Sequence, residues 1–182
     1  MIAVITGDII GSRKVDAGVW LPQLKTFFTA HLPDASRWEI YRGDSFQLQT
    51  SVFEALSLAL CIKALIKTHA LLDVRMAIGI GLAGFVGERI TESGGTAFVN
   101  SGDGFELLKN NTLQLKSPFE TFDSYFNPML KLVGFIADQW KPATAEALFY
   151  RLRYPDLLQK DLAGLLGKDK STLNKALKRG VR

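Results

Sequence analysis

Up to Leu82 the apolar residues change period in the order β-α-β-β-α-β, and that order limits the possible folds more than any other feature of the chain. Ile2 to Ile5 is a continuous apolar run that ends at Thr6, Gly7 and Asp8, the pattern of a central strand delivering Asp8 at its C-terminal end. Gly11 and Ser12 break the chain. Trp20, Leu21, Leu24, Phe27, Phe28 and Leu32 then recur at helical spacing, with Pro22 near the start. Trp38 to Thr50 reads as two strands about a tight turn at Gly43-Asp44. Val52 to Leu71 predicts a long, mostly buried helix, and Val74 to Leu82 a strand. This order is that of the ferredoxin-like split unit, so the expected fold is α+β, an antiparallel sheet with helices on one face.

The first part is completed by a loop over Gly84 to Gly95, a helix over Ala97 to Asn111, a short strand over Leu113 to Lys116 and a helix running from Pro118 toward Trp140. Lys141-Pro142 is the expected domain boundary, giving a palm-like domain at 1–140 and a small all-α domain at 141–182. In the second, Ala143 to Arg153 is one helix, stopped by Pro155. Gln159 to Leu166 is a second, closed by Gly167. Asp169 is a fitting N-cap for a third, Lys170 to Arg179. Two short helices about a glycine turn, the second polar and basic, form the helix-turn-helix pattern.

Charge separates the same two parts. Residues 1–140 carry 12 Lys/Arg against 14 Asp/Glu, whereas residues 141–182 carry 10 against 4, which points the C-terminal end at a polyanion. A single cysteine, Cys61, excludes an internal disulfide, and its apolar helical surroundings predict an inert thiol. With only His31 and His69 as imidazoles, a His/Cys metal cage or a His-relayed serine mechanism has little support. The longest apolar run, Ala55 to Ile66, contains Ser57 and Lys63 and is too short to span a membrane. The N-terminus lacks a basic n-region, and the expected location is the cytoplasm.

Two constellations carry chemistry. In T-G-D-I-I-G-S (Thr6 to Ser12) and R-G-D-S-F (Arg42 to Phe46), the split unit would bring Asp8 and Asp44 to one end of the sheet. Two carboxylates with the carbonyl of Ile9 suit Mg²⁺, which takes oxygen ligands and completes its shell with substrate phosphates. Gly7, Gly11 and Gly43 would let backbone approach phosphate. The plainer alternative is that Asp8 and Asp44 are turn residues. The glycine-rich Gly79 to Gly84 does not match a dinucleotide loop, and tight packing or strand bending is the expected reason for it.

D-I-I-G-S resembles the first metal motif of class III nucleotidyl cyclases, and R-G-D-S-F their second, at the hairpin. GGDEF domains share that palm-like fold. The chain is more similar to the SatD family of bacterial proteins, through I-T-G-D-I-x-G-S-R (Ile5 to Arg13), Y-R-G-D-S-F-Q (Tyr41 to Gln47), R-x-A-I-G-I-G (Arg75 to Gly81) and G-x-A-F-x-x-S-G (Gly95 to Gly102), with a C-terminal helix-turn-helix. The resemblance implies metal ligation by Asp8, Ile9 and Asp44, and nucleotide binding by Gly11, Ser12, Arg13, Arg42 and Gly43. The sequence departs from the cyclase pattern where that pattern has a helix Asn and Arg. The Arg place falls on Asp103 or, with a one-residue shift, Gly104, and Asn100 fits only under that shift.

Gln159 to Gly180 resembles the helix-turn-helix of bacterial regulators. Leu162, Ala163, Leu166, Leu173 and Leu177 would form its core, leaving Lys170, Ser171, Asn174, Lys175, Lys178 and Arg179 to contact DNA. The alternative is a solvated basic helix or a dimerisation unit. A wingless unit binds weakly, so a homodimer is expected. The function expected is therefore a DNA-binding transcriptional regulator whose cyclase-like palm dimerises and takes a nucleotide with Mg²⁺. A metal-dependent nucleotidyl cyclase or related phosphoryl-transfer enzyme is the alternative.

Overall fold

The computed structural model describes residues 1–181. Five strands form one sheet: β1 (Ile2–Ile10), β2 (Trp38–Tyr41), β3 (Ser45–Thr50), β4 (Asp73–Gly81) and β5 (Leu113–Lys116), in the order β2-β3-β1-β4-β5. Strand β1 is central and antiparallel to both neighbours, with Asp8 opposite Ser45 on one side and opposite Arg75 on the other. Strand β5 joins β4 in parallel, so the sheet is mixed and not the antiparallel sheet expected. The chain between β4 and β5 is a crossover containing a helix, which reverses direction twice and so returns parallel.

That crossover helix also overturns the expectation of helices on one face. Helices α1 (Ala17–His31) and α2 (Ala55–Ile66) cover one side of the sheet, where Trp20, Leu24 and Phe28 pack with Ile5, Phe46 and Met76 in the main core. Alternate residues of β1 face the other side. There Val4 packs with Ala97 and Phe98 of α3 (Thr96–Glu106) and with Ile90. Close approach of α3 depends on two glycines of β4. A Cβ on Gly79 would stand 2.1 Å from the Ser101 backbone nitrogen, and one on Gly81 2.5 Å from that of Ala97. The glycine-rich stretch therefore serves tight packing, as expected from the sequence.

Helix α4 (Glu120–Asp138) lies along β5. The Asn127 side chain accepts from the Leu115 N–H at 2.8 Å and donates to its carbonyl at 2.9 Å, satisfying the open edge of the sheet. Helix α2 is shorter than its apolar pattern. The Thr68 hydroxyl donates to the Leu65 carbonyl where the helix stops, a local bond that competes with continuing the helix.

Helices α5 (Pro142–Arg153), α6 (Gln159–Leu165) and α7 (Lys170–Arg179) follow. Ala147 belongs to a small cluster with Leu162, Ala163, Leu173 and Ala176. Phe149 of the same α5 belongs to the main core, its ring 5.6 Å from that of Phe27. The Trp140 indole also donates to the Gly180 carbonyl at 2.9 Å. Because α5 serves both cores, no separate C-terminal helix-turn-helix domain is shown. No helix among the described residues is long and apolar enough to cross a membrane.

Candidate functional site

The C-terminal end of β1 and the β2–β3 hairpin meet at one end of the sheet, where the Ile9 N–H donates to the Asp44 carbonyl at 3.0 Å. Strand register thus puts Asp8 and Asp44 in adjoining backbone positions, but their carboxylates have different partners. The Arg75 guanidinium grips Asp8 through Nε (2.8 Å) and Nη2 (2.7 Å), and its own face lies 5.0 Å from the Phe105 ring centre. This bidentate fork is the strong form of a charged hydrogen bond. It raises the affinity of Arg75 for its proton. Asp44 accepts from the Ser12 hydroxyl at 2.6 Å.

The hairpin reversal occupies Arg42 to Asp44, with both Arg42 (φ 53°) and Gly43 (φ 92°) left-handed. Glycine takes that conformation freely. For Arg42 it costs about 1–2 kcal/mol, a local strain that leaves its side chain exposed beyond the sheet. Gly11 is also left-handed (φ 80°), and a Cβ there would stand 2.5 Å from the Leu71 carbonyl oxygen. Its conformation starts the short 3₁₀ turn Ser12–Lys14, which holds Ser12 half-buried and Arg13 exposed. Gly11, Ser12, Arg13, Arg42 and Gly43 thus flank the two aspartates in two loops, with both arginines free to reach solvent.

The donors Asp8, Asp44 and the Ile9 carbonyl are of the type Mg²⁺ takes. Both Asp8 oxygens are already engaged by Arg75, and among the described residues no group of three His, Cys, Asp or Glu side chains is gathered for a metal. The cation would replace the guanidinium at Asp8. On α3, Asn100 donates its side-chain amide to the Ile80 carbonyl at 2.8 Å, and Asp103 forms an ion pair with Lys116. Asn100 and Asp103 are thus tied to strands β4 and β5. Deeper on the same face, the Thr6 and Ser101 hydroxyls lie 3.0 Å apart, and the Gln47 amide donates to Thr6.

The second candidate region is α7. Its apolar residues Leu173 and Ala176 are buried against α6 and α5, and Gly167 (φ 59°) makes the turn between α6 and α7. Asp169 caps α7, accepting from the Thr172 N–H (2.9 Å) and from the Ser171 and Thr172 hydroxyls (both 2.7 Å). Those bonds hold its carboxyl well below the usual carboxylate range. Lys170, Ser171, Lys175, Lys178 and Arg179 are exposed and Asn174 is half-buried. Ser171 spends its proton on the cap, leaving its lone pairs for a partner. Leu158 precedes α6 with no side-chain cap.

Burial pushes the Cys61 thiol up to about 11, so it is inert as expected. Two charged groupings escaped sequence reasoning. One is the Arg75 clamp on Asp8, for which the only signal is that strands one and four of a split unit are neighbours. The other is a cluster beneath α2, where Lys63 pairs with Asp73 (2.7 Å) and Asp138 (2.6 Å), and Lys67 with Asp73 (3.0 Å). Compared with protein-family models, curated proteins and solved structures, the chain matches none.

Proposed function

We propose that the chain is a DNA-binding transcriptional regulator, related to the SatD family, in which a ferredoxin-like, cyclase-like palm dimerises and α7 enters the major groove. The observation that carries this reading is α7 itself: its apolar side is buried on α6 and α5, its N-terminus is capped and its basic side is open. Lys170, Ser171 and Asn174, near the N-terminal end, are placed to read base edges. Lys175, Lys178 and Arg179 act further along, on phosphates.

The palm supplies a site for a nucleotide with Mg²⁺ at Asp8, Ile9 and Asp44, flanked by the two glycine loops. Mg²⁺ would supply charge neutralisation for the phosphates. Arg75, displaced from Asp8, becomes a further phosphate donor beside Arg13 and Arg42. The tethering of Asn100 and Asp103 to the sheet favours a binding role over cyclisation, which needs cations and orienting groups at the reacting phosphates.

The deciding experiment is fluorescence anisotropy of duplex DNA, with sites selected from a random pool, over a series of salt concentrations. Replacing Lys178 and Arg179 by alanine should weaken all duplexes about equally and lower the salt slope by about one for each phosphate no longer neutralised. Asn174→Ala should relax sequence preference and leave the slope unchanged. Absence of duplex binding at low salt would end the regulator reading.

A further inference from the structure

A cavity of about 210 Å³ lies where α1 and α2 meet α5, the helix that also helps to bury α7. Its walls are the end of α1, the first turns of α2 and the last turn of α5. Thr50, which also lines it, pairs with Ala3, so the cavity sits at the end of the sheet away from Asp8.

The cavity has one fixed charge of each sign. Arg153 of α5 is half-buried in its wall. Among the described residues no carboxylate pairs with Arg153, whose guanidinium lies 5.6 Å from the Tyr154 ring centre. Burial raises the Cys61 thiol and the Arg153 charge works against that rise, so the guanidinium is within electrostatic reach of the thiol. Glu54, on the α2 side, accepts from the Thr50 hydroxyl (3.3 Å) and the Ser51 hydroxyl (2.7 Å), both through Oε2. Its Oε1 is left for a ligand. The His31 ring lies 4.1 Å from that of Phe27, and its Nδ1 donates to the Phe27 carbonyl at 2.9 Å. In the neutral ring Nε2 then carries a lone pair, a second acceptor beside Glu54.

These groups select the ligand. A guanidinium takes a carboxylate in its fork, and a carboxylate beside an imidazole lone pair takes an ammonium group. A ligand with only one charge leaves the other wall without a counter-charge, whereas a zwitterion answers both. The rest of the lining is apolar, with Leu58, Cys61 and Leu152. That surface suits a hydrocarbon side chain and offers a second carboxylate or amine nothing. At roughly 30 Å³ for each water, the volume equals about seven waters, below the pockets of drug-sized ligands and too small for a nucleotide. Past His31 and Glu54 the cavity continues into a groove along Pro33 and Arg37, which gives a path in from solvent.

We infer that this cavity binds a free α-amino acid with an apolar side chain, its carboxylate on Arg153, its ammonium group between Glu54 and His31, and its side chain on Leu58, Cys61 and Leu152. The site is separate from the proposed nucleotide site and does not depend on DNA binding.

The test is calorimetric titration of the full chain with L-leucine and L-valine. One or both should bind with one-to-one stoichiometry at submillimolar concentration. For the tighter of the two, the acid without its amino group and the amine without its carboxyl group should each bind about tenfold more weakly or worse. Arg153→Gln and Glu54→Gln should each weaken the amino acid by about the same factor at unchanged circular dichroism. In nuclear magnetic resonance the ring signals of His31 should move on addition of the amino acid. Those of His69, at the far end of α2 and assigned with His69→Gln, should stay. The analogues and the ring signals use the unaltered chain, so they decide the matter if a variant fails to fold. No binding of either amino acid, equal binding of an analogue, indifference to both substitutions, or movement of the His69 signals alone overturns the inference. None of these outcomes bears on duplex binding by α7.

Discussion

Two carboxylate–cation groups sit at the same end of the sheet and differ in what surrounds them. Asp8 and Arg75 are 23% and 40% exposed under the edge of α3. Asp73, one position past Val74 in the same antiparallel register, meets Lys63, which has no exposed surface at all. Lys63 also reaches Asp138 of α4 and the Val74 carbonyl, while Lys67 donates to Asp73 and to the Asp138 carbonyl. This group has two buried lysines for two carboxylates, Asp73 and Asp138, that are 19% and 33% exposed, and it joins three elements across the core edge. A buried ion is tolerated only when paired and hydrogen-bonded, which reads as structure. The open pair keeps two strong charges at the surface beside the hairpin and the Gly11 turn. Solvent lowers the cost of separating such charges, so a ligand can exchange with either partner.

The largest contrast should come from breaking the group around the buried Lys63. Lys63→Met leaves Asp73 and Asp138 without their shared cation and should cost about 3 kcal/mol in urea unfolding. A loss below about 1 kcal/mol would abolish the distinction between the two groups. Next comes the glycine that seats α3 above the open pair. Gly79→Ala drives a Cβ into the α3 backbone and should cost about 1–3 kcal/mol. Gly102→Ala, with nothing within 4 Å of its Cβ, should instead stabilise by about 0.5–1 kcal/mol as a helix residue.

Asp8→Asn should change stability by no more than about 1 kcal/mol, because its ion pair is open to solvent. The same variant should abolish Mg²⁺-dependent binding of nucleoside triphosphates measured by calorimetry. Unaltered binding would remove Asp8 from the proposed site and leave the pair with Arg75 as packing alone.

The smallest effect is a pH dependence at the end of α2. Burial lowers the pKa of His69 below its ordinary value near 6.5, favouring the neutral ring in the fold. The unfolded chain takes up the proton first as pH falls. Stability should therefore be undiminished above 6.5 and decline below it, until the folded ring also protonates. His69→Gln should remove that component of the pH profile. An identical profile in both proteins would show that His69 is not the source.

Local pattern was enough to place most elements. Leu113–Lys116 and Lys170–Arg179 are at the predicted residues, because a short apolar alternation and a capped, Gly-terminated helix are complete signals within their own segments. Helix α3 ends at Glu106, short of the predicted Asn111, with Lys109 left-handed (φ 47°) in the turn that follows. Of the candidate site, residue types and neighbourhood were legible: strand one ends in Asp8, the hairpin carries Asp44, and their backbones adjoin. The partners were not. Whether Asp8 faces a cation from β4, and whether Asn100 turns to a carbonyl or to a cleft, depends on which face α3 takes.

The sequence by itself determined which segments form strands, helices and turns, that the one cysteine is inert and which helix carries the basic surplus, since each depends on periodicity and composition over a few turns of chain. Tertiary structure alone decided the parallel addition of β5, the second covered face, the sharing of α5 between two cores and the pairing of Arg75 with Asp8. Each joins residues distant in sequence, and the packing of backbone against Gly79 and Gly81, invisible to periodicity, sets which of them meet.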